Sequence, residues 1–278
     1  MLELNQSCSC KSGLKYRDCC QPLEKLIEFL PSTGMCQDLK IYAERYVLSI
    51  LLKKSKEFIA FYNSERSNLL NPIVWGVDPT LPVSMRSGFI PDFNKNIIIL
   101  KKIPIELEDT FDIAHELMHF LFGQKGFPLA IISDYGLLNG YDPRFAGILL
   151  NTVKNPLVNS RLAEFGLDLW GYYDKASQFQ RSYRETNPQT LQGDRYKYFE
   201  VSFYIQKVLD WELANKQSPR PHDDFLEWYR LKYPEIAEDA AEILNEIRQT
   251  GYDTPQKVRV ILTKIIKHYN MSEVVILQ

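Results

Sequence analysis

The chain lacks any apolar run long enough to span a bilayer; its best, Ile97 to Leu100, has the length of a buried strand. Its start, Met1-Leu-Glu-Leu-Asn5, also lacks the basic-then-apolar layout of a secretory leader. These two absences set the expectation of a cytoplasmic protein with no membrane partner. Charge of one sign is not in excess either: 33 Lys and Arg face 35 Asp and Glu, a formal net charge of −2. Such a balance gives no overall attraction to nucleic acid and leaves only a local basic patch for it. Repeats and low-complexity tracts are missing. Cysteine is scarce, with five in 278 residues, yet Cys8, Cys10, Cys19 and Cys20 fall close together. In a reducing compartment such clustering favours metal over disulfides. Cys36 is left over and reads as a small core residue.

What is present is enough to build a core, since hydrophobic residues make up 45% of the chain and aromatics 13%. Apolar positions from Leu39 to Phe58 recur at three- and four-residue steps, predicting one long amphipathic helix over 37–66. Prolines then punctuate short β-prone pieces at Ile73–Gly76 and Asn96–Leu100, predicting a small sheet or hairpin with a turn at Asp92–Lys95. Asp109 is the expected N-cap of a helix over 110–122, with Gly123 as its stop. Asp142-Pro143 and Asn155-Pro156 read as helix starts, giving helices near 143–153 and 156–170. A polar stretch, Thr186 to Asp194, reads as a linker. Helical patterns follow at 196–214, 223–232, 234–250 and 255–270, and the tail Val274 to Leu277 reads as a strand able to pair with an exposed edge. The expected class is α+β, mostly α, in four segments: a metal-binding start at 1–22, a helical connector at 23–70, a core at 71–185 and a helical region at 186–278.

One string carries chemistry. In His115-Glu-Leu-Met-His119 the two histidines lie four apart, on one face of a helix, so both imidazoles can reach one metal ion with Glu116 beside them. Zinc bound to neutral imidazoles, with a coordination position left open, acidifies water that a carboxylate such as Glu116 can deprotonate. The helix itself is predicted independently of the motif, because Phe111, Ala114, Leu117, Met118 and Leu121 form an apolar face. The alternative is a pair of buried histidines held by structural hydrogen bonds.

A β-prone strand, about ten residues and then a helix bearing HELMH resemble the core of the zincin metallopeptidases over Ile73 to Tyr173. The nearest type is the compact intracellular gluzincins, including the ImmA/IrrE-like peptidases. That resemblance implies a catalytic zinc on His115 and His119, Glu116 as general base, and a protein substrate lying along the strand before the helix. A third protein ligand is needed. No histidine occurs between His119 and His222, which argues for a carboxylate. Glu164, with Asp168 four residues on, resembles the thermolysin-like arrangement, in which the first carboxylate binds zinc and the second braces a histidine. Asn159, Asp134 and Asp142 are the substitutes. Tyr172, Tyr173 and His222 are candidates for the group that stabilises the oxyanion.

The segment from Cys8 to Cys20 resembles the SEC-C motif, matching at Cys8, Cys10, Ser12, Gly13, Lys15, Tyr16, Cys19 and Cys20 and departing at Ser9, Lys11 and Asp18. The resemblance implies a second, structural zinc on the four cysteines and a docking module for a partner protein. Nucleic acid is not the expected partner, although Lys257, Arg259, Lys264 and Lys267 make the last long helix basic. Three functions therefore compete: a zinc endopeptidase acting on a specific protein, an inactive adaptor keeping the zincin fold, and a nucleic-acid-associated regulator.

Overall fold

The computed structural model describes Gln6 and residues 38–42, 44–70, 73–81, 84–90, 95–103, 105–107, 109–142, 144–186 and 194–278. Cys8, Cys10, Cys19, Cys20 and Cys36 lie outside the described residues. The protein is α+β and mostly helical. It divides into two compact units between Thr110 and Phe111. No described helix is long and apolar enough to cross a membrane.

The first unit holds a four-stranded mixed sheet: β1 (Lys40–Tyr42), β2 (Ile73–Val77), β3 (Met85–Ile90) and β4 (Lys95–Leu100), in the order β1-β2-β4-β3. β1 and β2 are antiparallel, the two predicted strands β2 and β4 are parallel, and β3, which the sequence did not single out, is antiparallel to β4; of the turn expected at Asp92–Lys95, only Lys95 is among the described residues. Its strand-rich centre is apolar on both faces: every residue of β2 is buried, as is β4 after Lys95. Such near-continuous burial is characteristic of inner strands. β4, the strand expected to receive a substrate, is therefore an inner strand with both edges already paired. Only a strand with one edge free can accept another, and next to β4 that strand is β3.

Two helices precede the sheet strands β2–β4, where the periodicity predicted one: α1 (Glu44–Lys54) and α2 (Lys56–Glu65). The break is chemical. Ser55 adopts an extended backbone and its Oγ accepts from Phe58 N at 3.1 Å, an N-cap that ends the run of apolar spacing.

The second unit is helical. α3 (Asp109–Gln124) runs through Gly123, and the positive φ needed to end it falls at Gly126, where φ is +76°. β5 (Ala130–Ile132) pairs antiparallel with the C-terminal strand β6 (Val275–Leu277), so the apolar tail does find an edge. After the short α4 (Asp134–Leu138), α5 (Arg144–Glu164) continues straight through Pro156. The two helices expected on either side of that proline are one. Buried Leu149, Val153, Leu157, Val158 and Leu162 on α5 hold it in register across the missing N–H.

Then follow α6 (Leu169–Thr186), which the periodicity did not predict, α7 (Asp194–Gln217), α8 (Asp224–Lys232), α9 (Pro234–Thr250) and α10 (Pro255–His268). α7 is the central helix, packed against α5, α6, α8 and α9. It buries Val201, Ile205, Leu209 and Ala214 together with the polar Glu200, Lys207 and Asp210, which is why its sequence shows little amphipathic contrast. Polar groups inside a packed centre need partners, and those on α7 find them on α5, α6 and α8.

Candidate metal centre

Helix α3 presents its apolar face inward as expected: Ala114, Leu117, Met118 and Leu121 are fully buried and Phe111 nearly so. That burial fixes the helix rotation, and the four-residue spacing then brings the two imidazoles together. His115 Nε2 and His119 Nε2 lie 2.9 Å apart, with ring planes at 74°. Two imidazoles on one tetrahedral zinc at about 2.0–2.1 Å place their nitrogens about 3.3 Å apart. The observed pair is at hydrogen-bonding distance, a few tenths of an ångström inside that spacing.

The other nitrogen of His115 is also specified. Nδ1 lies 2.9 Å from Asn159 Oδ1, and Asn159 Nδ2 donates to Asp210 Oδ1 at 2.7 Å. Asp210 Oδ2 is in turn 3.6 Å from the Lys207 ammonium. His115, Asn159, Asp210 and Lys207 are all buried, so a polar chain runs from α3 through α5 to α7. An imidazole whose Nδ1 proton is held by an acceptor offers its Nε2 lone pair to a metal, the usual role of a group behind a histidine ligand. Burial pushes the Asp210 carboxyl above its ordinary range, and Lys207 and Asn159 oppose that shift. Burial likewise lowers the Lys207 ammonium, and Asp210 opposes it.

His119 is held well below the ordinary histidine range, first by burial, then by His115 and Lys154, so it is neutral near pH 7 and suited to bind a cation. The amide of Asn155, one turn before Asn159 on α5, lies beside it. Asn155 Nδ2 donates to Gln206 Oε1 at 3.0 Å, and a hydrogen bond from its side chain to His119 opposes the lowering of that imidazole. Lys154 is only 6% exposed, and burial depresses its ammonium, while the charge of Glu116 acts the other way. Glu116 is half-buried on the same turn as His115. The Tyr172 ring stacks on both Phe111, at 4.5 Å, and His115, at 5.8 Å. Its hydroxyl is driven far up by burial and by nearby Asp210, Asp112 and Glu116, so it stays protonated.

Other expected residues are elsewhere. Glu164 is exposed and paired with Arg161 one turn back on α5, not with the histidines. Asn159 reaches His115, but Glu164 is five positions further along, about 140° around the helix. Asp168 is not on the same helix as Glu164: α5 ends at Glu164, Gly166 turns the chain at φ +80°, and Asp168 Oδ1 accepts from Gly171 N at 2.9 Å as the cap of α6. The pairing of the two carboxylates on one helical face therefore does not form. Asp134 is exposed in the first turn of α4, and Asp142 is bound to Arg144 at 2.8 Å. Tyr173 and His222 line a different cleft of about 260 Å³ with Trp170, Arg181 and Arg220. There His222 lies 3.0 Å from Asp224 and 2.8 Å from Glu227, and Tyr173 is raised by burial and Asp223. Of the three expected oxyanion helpers, only Tyr172 is at the histidines.

Among the described residues, no group of three or more His, Cys, Asp or Glu side chains could hold a metal ion. What the described residues bring together is the nitrogen pair of His115 and His119, backed by amides from α5, without a third His, Cys, Asp or Glu beside it. Asn155, Asn159 and Asp210 carry most of that backing, and they escaped the sequence reading in this role. A signal existed: Asn155 and Asn159 share the four-residue spacing of His115 and His119. No family model, no curated protein and no solved structure matches the chain.

Proposed function

We propose that this protein is a zinc-dependent hydrolase acting on peptide bonds of a specific protein target, with His115 and His119 as metal ligands and Glu116 as general base. The observation that carries this reading is the convergence of the two Nε2 atoms at 2.9 Å, with His115 oriented from behind by Asn159. Bound in this seat, zinc supplies Lewis acidity, lowering the pKa of water and polarising a carbonyl. Held neutral, His119 and the Nδ1-protonated His115 would each offer Nε2 to the metal ion. Glu116 takes the proton of the attacking water and later delivers it to the leaving amine. The buried Lys154 ammonium offsets charge building up beside Glu116. The cysteines of the first segment would hold a second, structural zinc and dock a partner protein.

A second reading is favoured by one observation: the residues of α5 nearest the imidazoles are the neutral amides Asn155 and Asn159, where a catalytic zinc takes a third protein ligand. On that reading the protein is an inactive adaptor retaining the histidine pair. Glu116→Gln separates the two. It keeps size and hydrogen bonding but cannot act as a base, so a folded variant retaining its metal should lose hydrolysis by at least about 100-fold. The substrate is found by comparing proteomes of cells expressing wild type and variant. Identical cleavage products in both, or none in either, would make the adaptor the better account.

A further inference from the structure

The two-stranded sheet of β5 and β6 leaves one of its outer edges open. Its register, Ala130↔Leu277, Ile131↔Ile276 and Ile132↔Val275, is continued by Leu129 N donating to Gln278 O at 3.2 Å and Ser133 N to Val274 O at 2.8 Å. In an antiparallel ladder alternate residues bond across the pair, and those between them turn N–H and C=O outward. Leu129, Ile131 and Ser133 therefore bond to β6, while Ala130 and Ile132 face away from it. The outward groups of β6 are taken: Val275 N donates to Met271 O at 3.0 Å, and Arg259 of α10 donates to Leu277 O at 3.3 Å. On β5, no described group bonds to the outward N–H and C=O of Ala130 and Ile132.

Open edges are ordinarily guarded by charge, proline or a bulge. β5 has no such guard: the stretch from Gly126 to Ser133 is uncharged, and Pro128 stands before the strand rather than in it. The surface around the edge is apolar. Ile131 and Ile276 lie opposite each other, both exposed, with Leu129 on the same face, and α4 adds Tyr135, Leu137 and Leu138. These six are almost half of the fourteen large apolar side chains exposed among the described residues. Clustering of that kind marks an interaction site.

The edge also matches itself. About a two-fold axis at Ile131, Ala130 of one chain meets Ile132 of the other, so the outward groups of both residues are satisfied in both copies at once. The two Ile131 side chains then stand in the close, non-hydrogen-bonded position and join the apolar faces of the two sheets. Antiparallel pairing brings the Lys125 end of each strand to the Asp134 end of the other. Both side chains are exposed, and neither is ion-paired with a described residue of its own chain. We propose that β5 pairs with β5 of a second copy of this chain about that axis, giving one continuous sheet in the order β6-β5-β5-β6. Arg259 and Met271 close the outer edge of β6, so association stops at the dimer instead of running on into a filament. The inference is independent of the metal seat proposed above.

The test is sedimentation equilibrium of the full chain over a concentration series, with hydrogen exchange read at the Ala130 and Ile132 amides. Wild type should reach twice the chain mass, and those two amides should gain protection as the dimer forms. Ile131→Lys places a charge on the axis at an exposed site, and Ala130→Pro removes an outward N–H without touching a bond to β6. Each should return the protein to monomer with its circular dichroism unchanged. Lys125→Asp should weaken the dimer, and adding Asp134→Lys should restore it, as antiparallel pairing of like strands requires. A wild type that stays monomeric at every concentration overturns the proposal and leaves the edge to an extended segment of another protein. A dimer that survives both Ile131→Lys and Ala130→Pro overturns it too, since the copies then meet elsewhere. If Ala130→Pro does not fold, Ile131→Lys and the charge exchange still decide.

Discussion

The side chain of Asn159 determines which nitrogen of His115 carries its proton: Oδ1 lies 2.9 Å from Nδ1, and Asp210 holds the amide in that orientation from the far side. Remove the amide and the ring is free to rotate and to exchange tautomers. Asn159→Ala should therefore lower zinc affinity by about 10- to 100-fold, measured by competition with a chelator, with less effect on melting temperature. Affinity equal to wild type would mean that Asn159 packs beside the histidine without orienting it.

Asp210 also answers to Lys207, both nearly fully buried. A buried charge that loses its partner is costly, about 3–5 kcal/mol when one member of a pair is deleted. Asp210→Ala should show that loss in urea unfolding, whereas Lys207→Met combined with Asp210→Leu should lose much less. Similar losses in the single and double variants would show that the pair's charges do not compensate each other.

The two carboxylates expected from sequence make a sharp contrast. Glu164→Gln should leave zinc content and stability within error of wild type, because its side chain is exposed and its partner is Arg161 on the same surface. Asp168→Ala should cost about 0.5–2 kcal/mol, as the loss of an N-cap does, with zinc content unchanged. Zinc loss in either variant would restore the arrangement that the sequence suggested.

That contrast also shows where the sequence was legible. HELMH and the apolar face around it, the strand at Asn96–Leu100, the helix starting at Pro234 and the terminal strand were readable, because each rests on local periodicity or local turn chemistry. The end of α5 was not, although Gly166 four residues after Leu162 was a usable stop signal. Pro156 misled in the other direction: tertiary packing of Val153, Leu157 and Val158 outweighed one lost backbone bond. The bracing of His115 from α7 could not be read at all, since Asp210 reaches it only through a contact between helices distant in sequence.

Acid should act through His119. Burial depresses its folded pKa below the value of about 6.5 in the unfolded chain, so its contribution is fully present above pH about 6.5. It declines as pH falls, because the unfolded chain takes up a proton that the folded one refuses. In chelator-treated protein, stability should drop as pH is lowered from about 7 to 5, and His119→Gln should flatten that slope. Parallel pH profiles for the two proteins would place the acid sensitivity elsewhere.

The most direct measurement of the central claim is zinc content per chain, by elemental analysis of full-length wild type beside His115→Ala and His119→Ala. If the nitrogen pair holds a metal ion, each variant loses one equivalent relative to wild type and keeps whatever the cysteines retain. The same zinc content in all three folded proteins would contradict it and leave His115 and His119 as a hydrogen-bonded pair in the helical core.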